Sequence, residues 1–212
     1  MNQPRLLLAD DHRIVVEGLR SILGLEYELV GIVEDGRELV EAARRLRPDV
    51  IVADIGMPQL NGLEAIAQLR IEGCHAKVVF LTMHKDATYA AKALEIGASG
   101  YVLKHSASTE LLKAIRAALS GETYVTSEIA ERLRGATGTR TASLAAPSLT
   151  PRQREVLQLF AEGRSAKEVA AVLHISARTA ENHKARIMDL LSLATTADLV
   201  QYALRHGIIA AQ

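Results

Sequence analysis

Val50-Ile51-Val52-Ala53-Asp54 sets four apolar side chains in a row and closes them with a carboxylate. A run without alternation is the pattern of a strand buried on both faces, as in the parallel sheets of α/β proteins. Three other segments have the same form. Leu6-Leu7-Leu8-Ala9 ends on Asp10 and Asp11, Val78-Val79-Phe80-Leu81 on Thr82, and Gly100-Tyr101-Val102-Leu103 on Lys104. Strands are predicted at 5–9, 28–33, 49–53, 77–81 and 100–103. Between and after them, 13–24, 37–46, 61–71, 87–96 and 108–119 carry apolar residues at helical spacing, for example Leu63, Ile66, Ala67 and Leu69. Strands and helices in alternation predict an α/β unit, a doubly wound five-stranded parallel sheet of the flavodoxin-like kind. Gly31, Gly62, Gly97 and Gly100 fall near element ends, where a positive φ or close packing calls for glycine.

The carboxyl ends of strands in an open parallel sheet line one crevice. Asp10, Asp11, Asp54, Thr82 and Lys104 are expected to meet there. Clustered carboxylates repel one another unless positive charge sits among them, and a divalent cation together with Lys104 would supply it. Any one of these aspartates reads equally well as strand-to-loop punctuation, and Asp10, Asp11 and Lys104 could form a purely structural ion-pair cluster. The order of all four strand ends carries the weight. Asp54 is the candidate nucleophile, because a carboxylate that accepts a phosphoryl group becomes a reactive acyl phosphate. Mg²⁺ prefers oxygen ligands and keeps several waters; Asp11, Asp54 and the backbone carbonyl of Gly56 are the expected ligands, with Asp10 acting through water. Thr82 would hydrogen-bond a phosphoryl oxygen, and Lys104 would neutralise its charge.

Bulk properties set the frame. The 212 residues suffice for one or two domains, 49% of them are hydrophobic, and with 3% aromatics and no Trp the cores must be aliphatic. Cys74 is the single cysteine, so no internal disulfide framework exists, and a reducing compartment is expected. No basic region with an apolar signal core opens the chain and no apolar run reaches membrane-spanning length, so a soluble cytoplasmic protein without a membrane partner is expected. Charge is balanced overall, at 25 basic and 25 acidic residues, but residues 1–128 carry 14 basic against 18 acidic and residues 149–212 carry 8 against 6. That mild asymmetry permits nucleic-acid binding by the C-terminal part.

The run GATGTRTASLAAPS at 135–148 is small, polar and aperiodic, the composition of a flexible linker. It divides the chain into 1–125, a helix extension with linker at 126–148, and 149–212. The last part shows no strand pattern. Thr150-Pro151 starts a helix through Ala161, Ser165 caps a second through Leu173, Ser176 a third through about Leu191, and Thr195 or Thr196 a fourth that ends at Gly207. Two short helices joined by a tight turn, the second rich in polar residues, suggest a small all-α helix-turn-helix domain. In the helix after Ser176, Ala180, Ile187 and Leu191 face the core while Arg178, Thr179, Glu181, Asn182, Lys184 and Arg186 are candidates for contact with double-stranded DNA. Asn pairs with adenine and Glu accepts from cytosine, whereas the basic side chains bind phosphates.

These residues carry a resemblance. DIGMPQLNGLEAI from Asp54 and LTMHKDATYAAKALEIGASGYVLK from Leu81 resemble the receiver domain of bacterial response regulators, and LTPRQREVLQLFAEGRSAKEVAAVLHISARTAENHKARIMDLL from Leu149 resembles the LuxR-type helix-turn-helix. Together they resemble a two-component response regulator of the NarL/FixJ family over nearly the whole chain except the linker. The resemblance implies a non-enzymatic regulator, phosphorylated on Asp54 by a sensor histidine kinase with Mg²⁺ at Asp10 and Asp11, and switched through Thr82 and Tyr101. Promoter DNA is the implied partner, bound by a homodimer formed on phosphorylation, with Leu199, Val200, Ala203 and Leu204 as a candidate dimer face. Burial in the monomer accounts for the same stripe almost as well. Three positions depart from the pattern or tune it. His105 stands where many receivers have a cis proline, Asp189 where many LuxR-type helices are basic, and His84, two residues beyond Thr82, is positioned to shape water access to an acyl phosphate. Two other readings compete: a phosphoryl-relay module whose C-terminal domain docks a protein, and a metal-dependent phosphatase. The second lacks a general acid, since Gly56 occupies the second position after Asp54.

Overall fold

The unalternating apolar runs lie where both faces of a sheet are covered. In the computed structural model, which describes residues 3–136 and 149–209, they form β1 (Arg5–Ala9), β2 (Glu28–Val33), β3 (Val50–Ala53), β4 (Lys77–Thr82) and β5 (Gly100–Leu103). All pair in parallel, in the order β2-β1-β3-β4-β5, and the register sets Ala9 opposite Ala53, Ala53 opposite Phe80 and Thr82 opposite Leu103. The sheet has six strands, not five. β6 (Tyr124–Val125) joins the edge beside β5, where Tyr124 N–H donates to the Ser99 carbonyl and Thr126 N–H to the Tyr101 carbonyl, each at 3.0 Å. Two residues cannot display a period, so nothing local distinguishes this strand from a loop.

The helices α1 (Arg13–Leu23), α2 (Gly36–Leu46), α3 (Gly62–Ile71), α4 (Ala87–Glu95), α5 (Ala107–Leu119) and α6 (Ser127–Ala136) follow the strands. Three begin on side-chain caps: Asp35 accepts from the Arg37 and Glu38 amides, Asn61 from Glu64, and Asp86 from Thr88. On one face of the sheet Leu6, Leu8, Val50, Val52, Val79, Leu81 and Val102 pack against Val16, Leu19 and Leu23 of α1 and Leu111, Ala114, Ile115 and Ala118 of α5. Gly97 takes φ +87°, a left-handed turn after α4. Gly31 and Gly100 are close-packing positions instead, since a Cβ there would stand 2.9 Å from Leu46 and 3.0 Å from Val79.

A second compact unit holds α7 (Pro151–Ala161), α8 (Ala166–Leu173), α9 (Ala177–Leu190) and α10 (Thr196–Arg205). Capping boxes open three of them: Thr150 with Gln153, Ser165 with Glu168, and Thr195 with Asp198. Its core is Val156, Leu157, Leu159, Phe160, Val169, Leu173, Ala180, Ile187, Leu199 and Ala203. Between α8 and α9 the chain turns on His174 in the left-handed region (φ +54°, ψ +46°). Residues 137–148, most of the expected linker, lie outside the described residues. No described helix is long and apolar enough to cross a membrane.

Candidate functional site

Because β1, β3, β4 and β5 are in register, the residues immediately after them converge at one end of the sheet. Asp10 is 1% exposed, and the Lys104 ammonium stands 3.0 Å from its Oδ1 and 2.7 Å from Asp54 Oδ2. The two oxygens of Asp54 have different partners. Oδ1 accepts the Ile55 amide at 2.6 Å and the Gly56 amide at 3.3 Å, while Oδ2 faces Lys104. The Asp54 backbone is fixed from the other side by Gly62, whose amide donates to the Ile55 carbonyl at 2.9 Å and whose Cβ, if present, would lie 2.0 Å from the Asp54 carbonyl oxygen.

One member of the cluster has no signature in the sequence. His12 comes directly after the Asp-Asp pair and occupies the N-cap position of α1, yet its side chain makes no cap bond. Its Nδ1 turns into the pocket instead, 3.0 Å from Asp10 Oδ1, 2.9 Å from Asp11 Oδ1, 3.2 Å from Lys104 Nζ and 3.8 Å from Asp54 Oδ2. The available signal was adjacency: a third polar residue between β1 and α1, directly after two carboxylates.

Electrostatics favour an added cation. Burial pushes the Asp11 carboxyl above its ordinary value, with the negative charges of Asp54 and Asp10 adding to the rise and His12 opposing it. Burial works against the Lys104 ammonium, but Asp54 and Asp10 outweigh it and hold its pKa above normal. Asp10 Oδ2 and Asp11 Oδ1 receive no aligned hydrogen bond, although Lys104 Nζ and His12 Nδ1 approach them to 2.8 and 2.9 Å. One donor atom from each of Asp10, Asp11, His12 and Asp54 lies within 4.8 Å of the others. Three carboxylates against one lysine, with two shielded lone pairs left over, fit a divalent cation.

Thr82 and Tyr101 are both fully buried and are joined through the backbone of His84. The His84 amide donates to Thr82 Oγ1 at 3.2 Å, and the Tyr101 hydroxyl donates to the His84 carbonyl at 2.9 Å. Burial raises the Tyr101 phenol. The His84 ring stacks on Tyr89 at 4.8 Å, and burial lowers its pKa although Asp54 and Asp86 pull upward. The Lys104–His105 bond is trans, as are all the described peptide bonds, and Lys104–Ser106 forms a single 3₁₀ turn.

In the second unit α9 buries Ala180 and Ile187 and exposes Arg178, Glu181, Asn182, Ala185 and Arg186. Thr179 and Lys184 are half-buried: the Thr179 hydroxyl pairs with Ser176 at 2.8 Å, and Lys184 donates to Thr196 Oγ1 at 3.1 Å with its ammonium over the Phe160 ring. Asp189 is exposed. The expected dimer face needs correction. Leu199 and Ala203 have no exposed surface and belong to the core of their own unit. The stripe is hydrophobic because it packs on α7, and only Val200 and Leu204 keep surface.

The receiver domain family of response regulators matches residues 6–116, and the family described as bacterial regulatory proteins, luxR family, matches 147–203. The chain is 37% identical to the transcriptional regulatory protein MctR of Rhizobium johnstonii, across 97% of this chain and 95% of that one. It is 35% identical to the oxygen regulatory protein NreC of Staphylococcus aureus, across 97% and 99%. Among solved structures, RcsB of Salmonella enterica serovar Typhimurium, bound to the promoter P1flhDC with the phosphomimetic BeF₃⁻, superposes with TM-score 0.64 at 28% identity, across 96% of this chain and the whole of that one. A receiver match over half the chain, a LuxR-type match over the helical unit and full-length relatives of the same build show that the chain belongs to the NarL/LuxR-type response regulators, transcription regulators that join a receiver domain to a helix-turn-helix DNA-binding domain.

Proposed function

We propose that phosphorylation of Asp54 by a sensor histidine kinase switches this regulator's dimerisation and promoter binding. The observation that carries the reading is the Lys104 ammonium held between Asp54 Oδ2 at 2.7 Å and the buried Asp10. An ammonium so placed can follow the charge from the carboxylate to an arriving phosphoryl group. In the transfer, an Asp54 oxygen forms the new O–P bond as the P–N bond to the kinase histidine breaks, and the departing imidazole takes up a proton. Ile55 and Gly56 hold Oδ1 through their amides, which orients the carboxylate and leaves Oδ2 to react. Asp11, Asp54 and the Gly56 carbonyl would hold a Mg²⁺ ion, with Asp10 through water, and the ion would supply charge neutralisation for the phosphoryl group. Thr82 Oγ1 exchanges the His84 amide for a phosphoryl oxygen, and because the Tyr101 hydroxyl holds the His84 carbonyl, the ring answers the same movement. His84 limits water at the acyl phosphate, so His84→Ala changes the dephosphorylation rate.

On DNA, α9 is the recognition helix. Glu181 and Asn182 read bases, Arg178 and Arg186 bind phosphates, and Thr179 and Lys184 shape the helix surface through their bonds to Ser176 and Thr196. Residues 1–125 act as the receiver, 126–148 as helix extension and linker, and 149–212 as the DNA-binding domain, working in the cytoplasm. The RcsB structure on its promoter with a phosphomimetic supports the pairing of these two events in a relative. The test is DNA binding by the full-length protein with and without Mg²⁺ plus a small phosphodonor, alongside Asp54→Ala. Binding that tightens only with donor, Mg²⁺ and an intact Asp54 is expected. Equal binding in all states would remove the switch and leave control to a partner or to abundance.

A further inference from the structure

We propose that Thr126 is a positioning residue for Lys104: its hydroxyl completes the hydrogen bonding of β5 one residue before the lysine and so fixes where the ammonium stands. The inference rests on the reading of Asp54 as the phosphoacceptor. Lys104 holds its ammonium 2.7 Å from Asp54 Oδ2 and 2.8 Å from Asp10 Oδ2, with the side chain 6% exposed. A charged group at a reacting centre loses its effect when its backbone drifts by about 1 Å, so whatever holds the end of β5 bears on the transfer.

β6 ends at Val125, and its register pairs it with Gly100 and Tyr101, short of the end of β5. The Tyr124 amide donates to the Ser99 carbonyl and the Thr126 amide to the Tyr101 carbonyl. The next rung of such a parallel ladder would run from the Leu103 amide to the Thr126 carbonyl. That carbonyl is engaged at the head of α6, where it accepts the Ile129 amide at 2.9 Å and the Ala130 amide at 3.0 Å. The Thr126 hydroxyl takes the rung instead and accepts the Leu103 amide at 3.3 Å. A hydroxyl has one proton, and here it goes to Glu110 Oε2 at 2.7 Å, which leaves the oxygen lone pairs for Leu103. Glu110 lies in the first turn of α5. One buried oxygen, in a residue 3% exposed, thus ties the end of β5 to the start of α5 and the head of α6. Leu103 is fully buried and directly precedes Lys104, after which the chain leaves the sheet in a 3₁₀ turn. Without the hydroxyl, a buried amide has no acceptor, and the strand end must shift to find one.

The test measures phosphorylation of the full-length protein by acetyl phosphate with Mg²⁺, read by intact mass. The native chain, Thr126→Val and Thr126→Ser are compared, and Thr126→Val is repeated in a Lys104→Met background. Valine keeps the volume and loses both bonds, whereas serine keeps both. Thr126→Val is expected to slow the reaction about tenfold, and Thr126→Ser to stay within about twofold of the native rate. In the Lys104→Met background the valine should add less than about twofold, because the residue acts through the lysine. A native rate for Thr126→Val overturns the proposal, as does a serine variant as slow as the valine one. An equal loss in both backgrounds, the result of a merely structural role, overturns it too. Should urea titration show that Thr126→Val does not fold, Glu110→Ala, which frees the hydroxyl to turn away from Leu103, carries the same comparison. A native chain that takes up no phosphoryl group, or takes up as much with Asp54→Ala, fails the phosphoacceptor reading itself, and the positioning role with it.

Discussion

Gly62→Ala is the sharpest probe of how the fold holds Asp54. A methyl group there would stand 2.0 Å from the Asp54 carbonyl oxygen, 3.0 Å from its carbonyl carbon and 3.2 Å from Ile55 Cα. Backbone lies on both sides of the contact, so no flexible side chain can swing away, and the Asp54–Ile55 segment or the start of α3 must retreat by about 1 Å to reach even a tight contact. Overpacking of this kind costs about 1–3 kcal/mol. The gain in helix propensity, up to about 1 kcal/mol, offsets part of it. The functional cost should be larger than the stability cost, because Ile55 and Gly56 carry the amides that orient Asp54 Oδ1, and a misplacement of about 1 Å at a reacting group lowers rates roughly 100-fold. The assay is phosphorylation by a small phosphodonor with Mg²⁺, read by mobility shift or mass, beside urea unfolding. Gly18→Ala on α1 is the control: nothing lies within 4 Å of its Cβ, so it should add about 0.5–1 kcal/mol and leave the rate alone. A Gly62→Ala protein that is phosphorylated at the native rate would refute the claim that this contact positions Asp54.

Three further outcomes rest on particular contacts. Lys104→Met leaves Asp10 and Asp54 as buried charges without their cation, so in EDTA it should destabilise the receiver by about 3–5 kcal/mol, with Mg²⁺ recovering part; native-like melting in EDTA would contradict this. Burial depresses the His84 pKa below its ordinary 6.5, so between those two values the unfolded chain binds more protons and stability rises with pH. The contribution is full above the unfolded value and is lost as pH falls through it toward the folded one, and His84→Phe should flatten this slope in unfolding midpoints measured from pH 5 to 7.5. His174 holds a left-handed conformation (φ +54°) at the end of α8; His174→Gly should add about 1 kcal/mol, seen as slower amide exchange in α8 and α9, and unchanged exchange would argue against strain at the turn.

The sheet was legible because its strands are buried on both faces. Val50 to Ala53 and Leu6 to Ala9 are all fully buried, and a run with no polar break has few other places to go. The helices announced themselves by period and by caps, with Thr150, Ser165, Ser176 and Thr195 each at the N-terminus expected of it. The pocket was legible for a topological reason: strands in register deliver their C-terminal neighbours to one edge, so the Asp and Lys endings could be placed together without any distance being known.

The features that the sequence withheld are decided by partners far along the chain. β6 exists because Ser99 and Tyr101 offer free edge groups to Tyr124 and Thr126, and Thr126 is then buried with its hydroxyl donating to Glu110 at 2.7 Å; neither half of that arrangement has a local signature. Leu199 and Ala203 show the opposite failure. Their spacing is a clear apolar stripe, but period alone reports that a face is covered and not whether the cover is the same chain or another. His12 combines both difficulties. Its place at the head of α1 reads as a cap, its type as a surface residue, and only the convergence of three strands shows that its nitrogen faces two carboxylates of the pocket. A residue with no pattern of its own can therefore enter a site when its neighbours in the chain have a strong one: Asp10 and Asp11 fix where the chain leaves β1, and the next side chain has the pocket within reach.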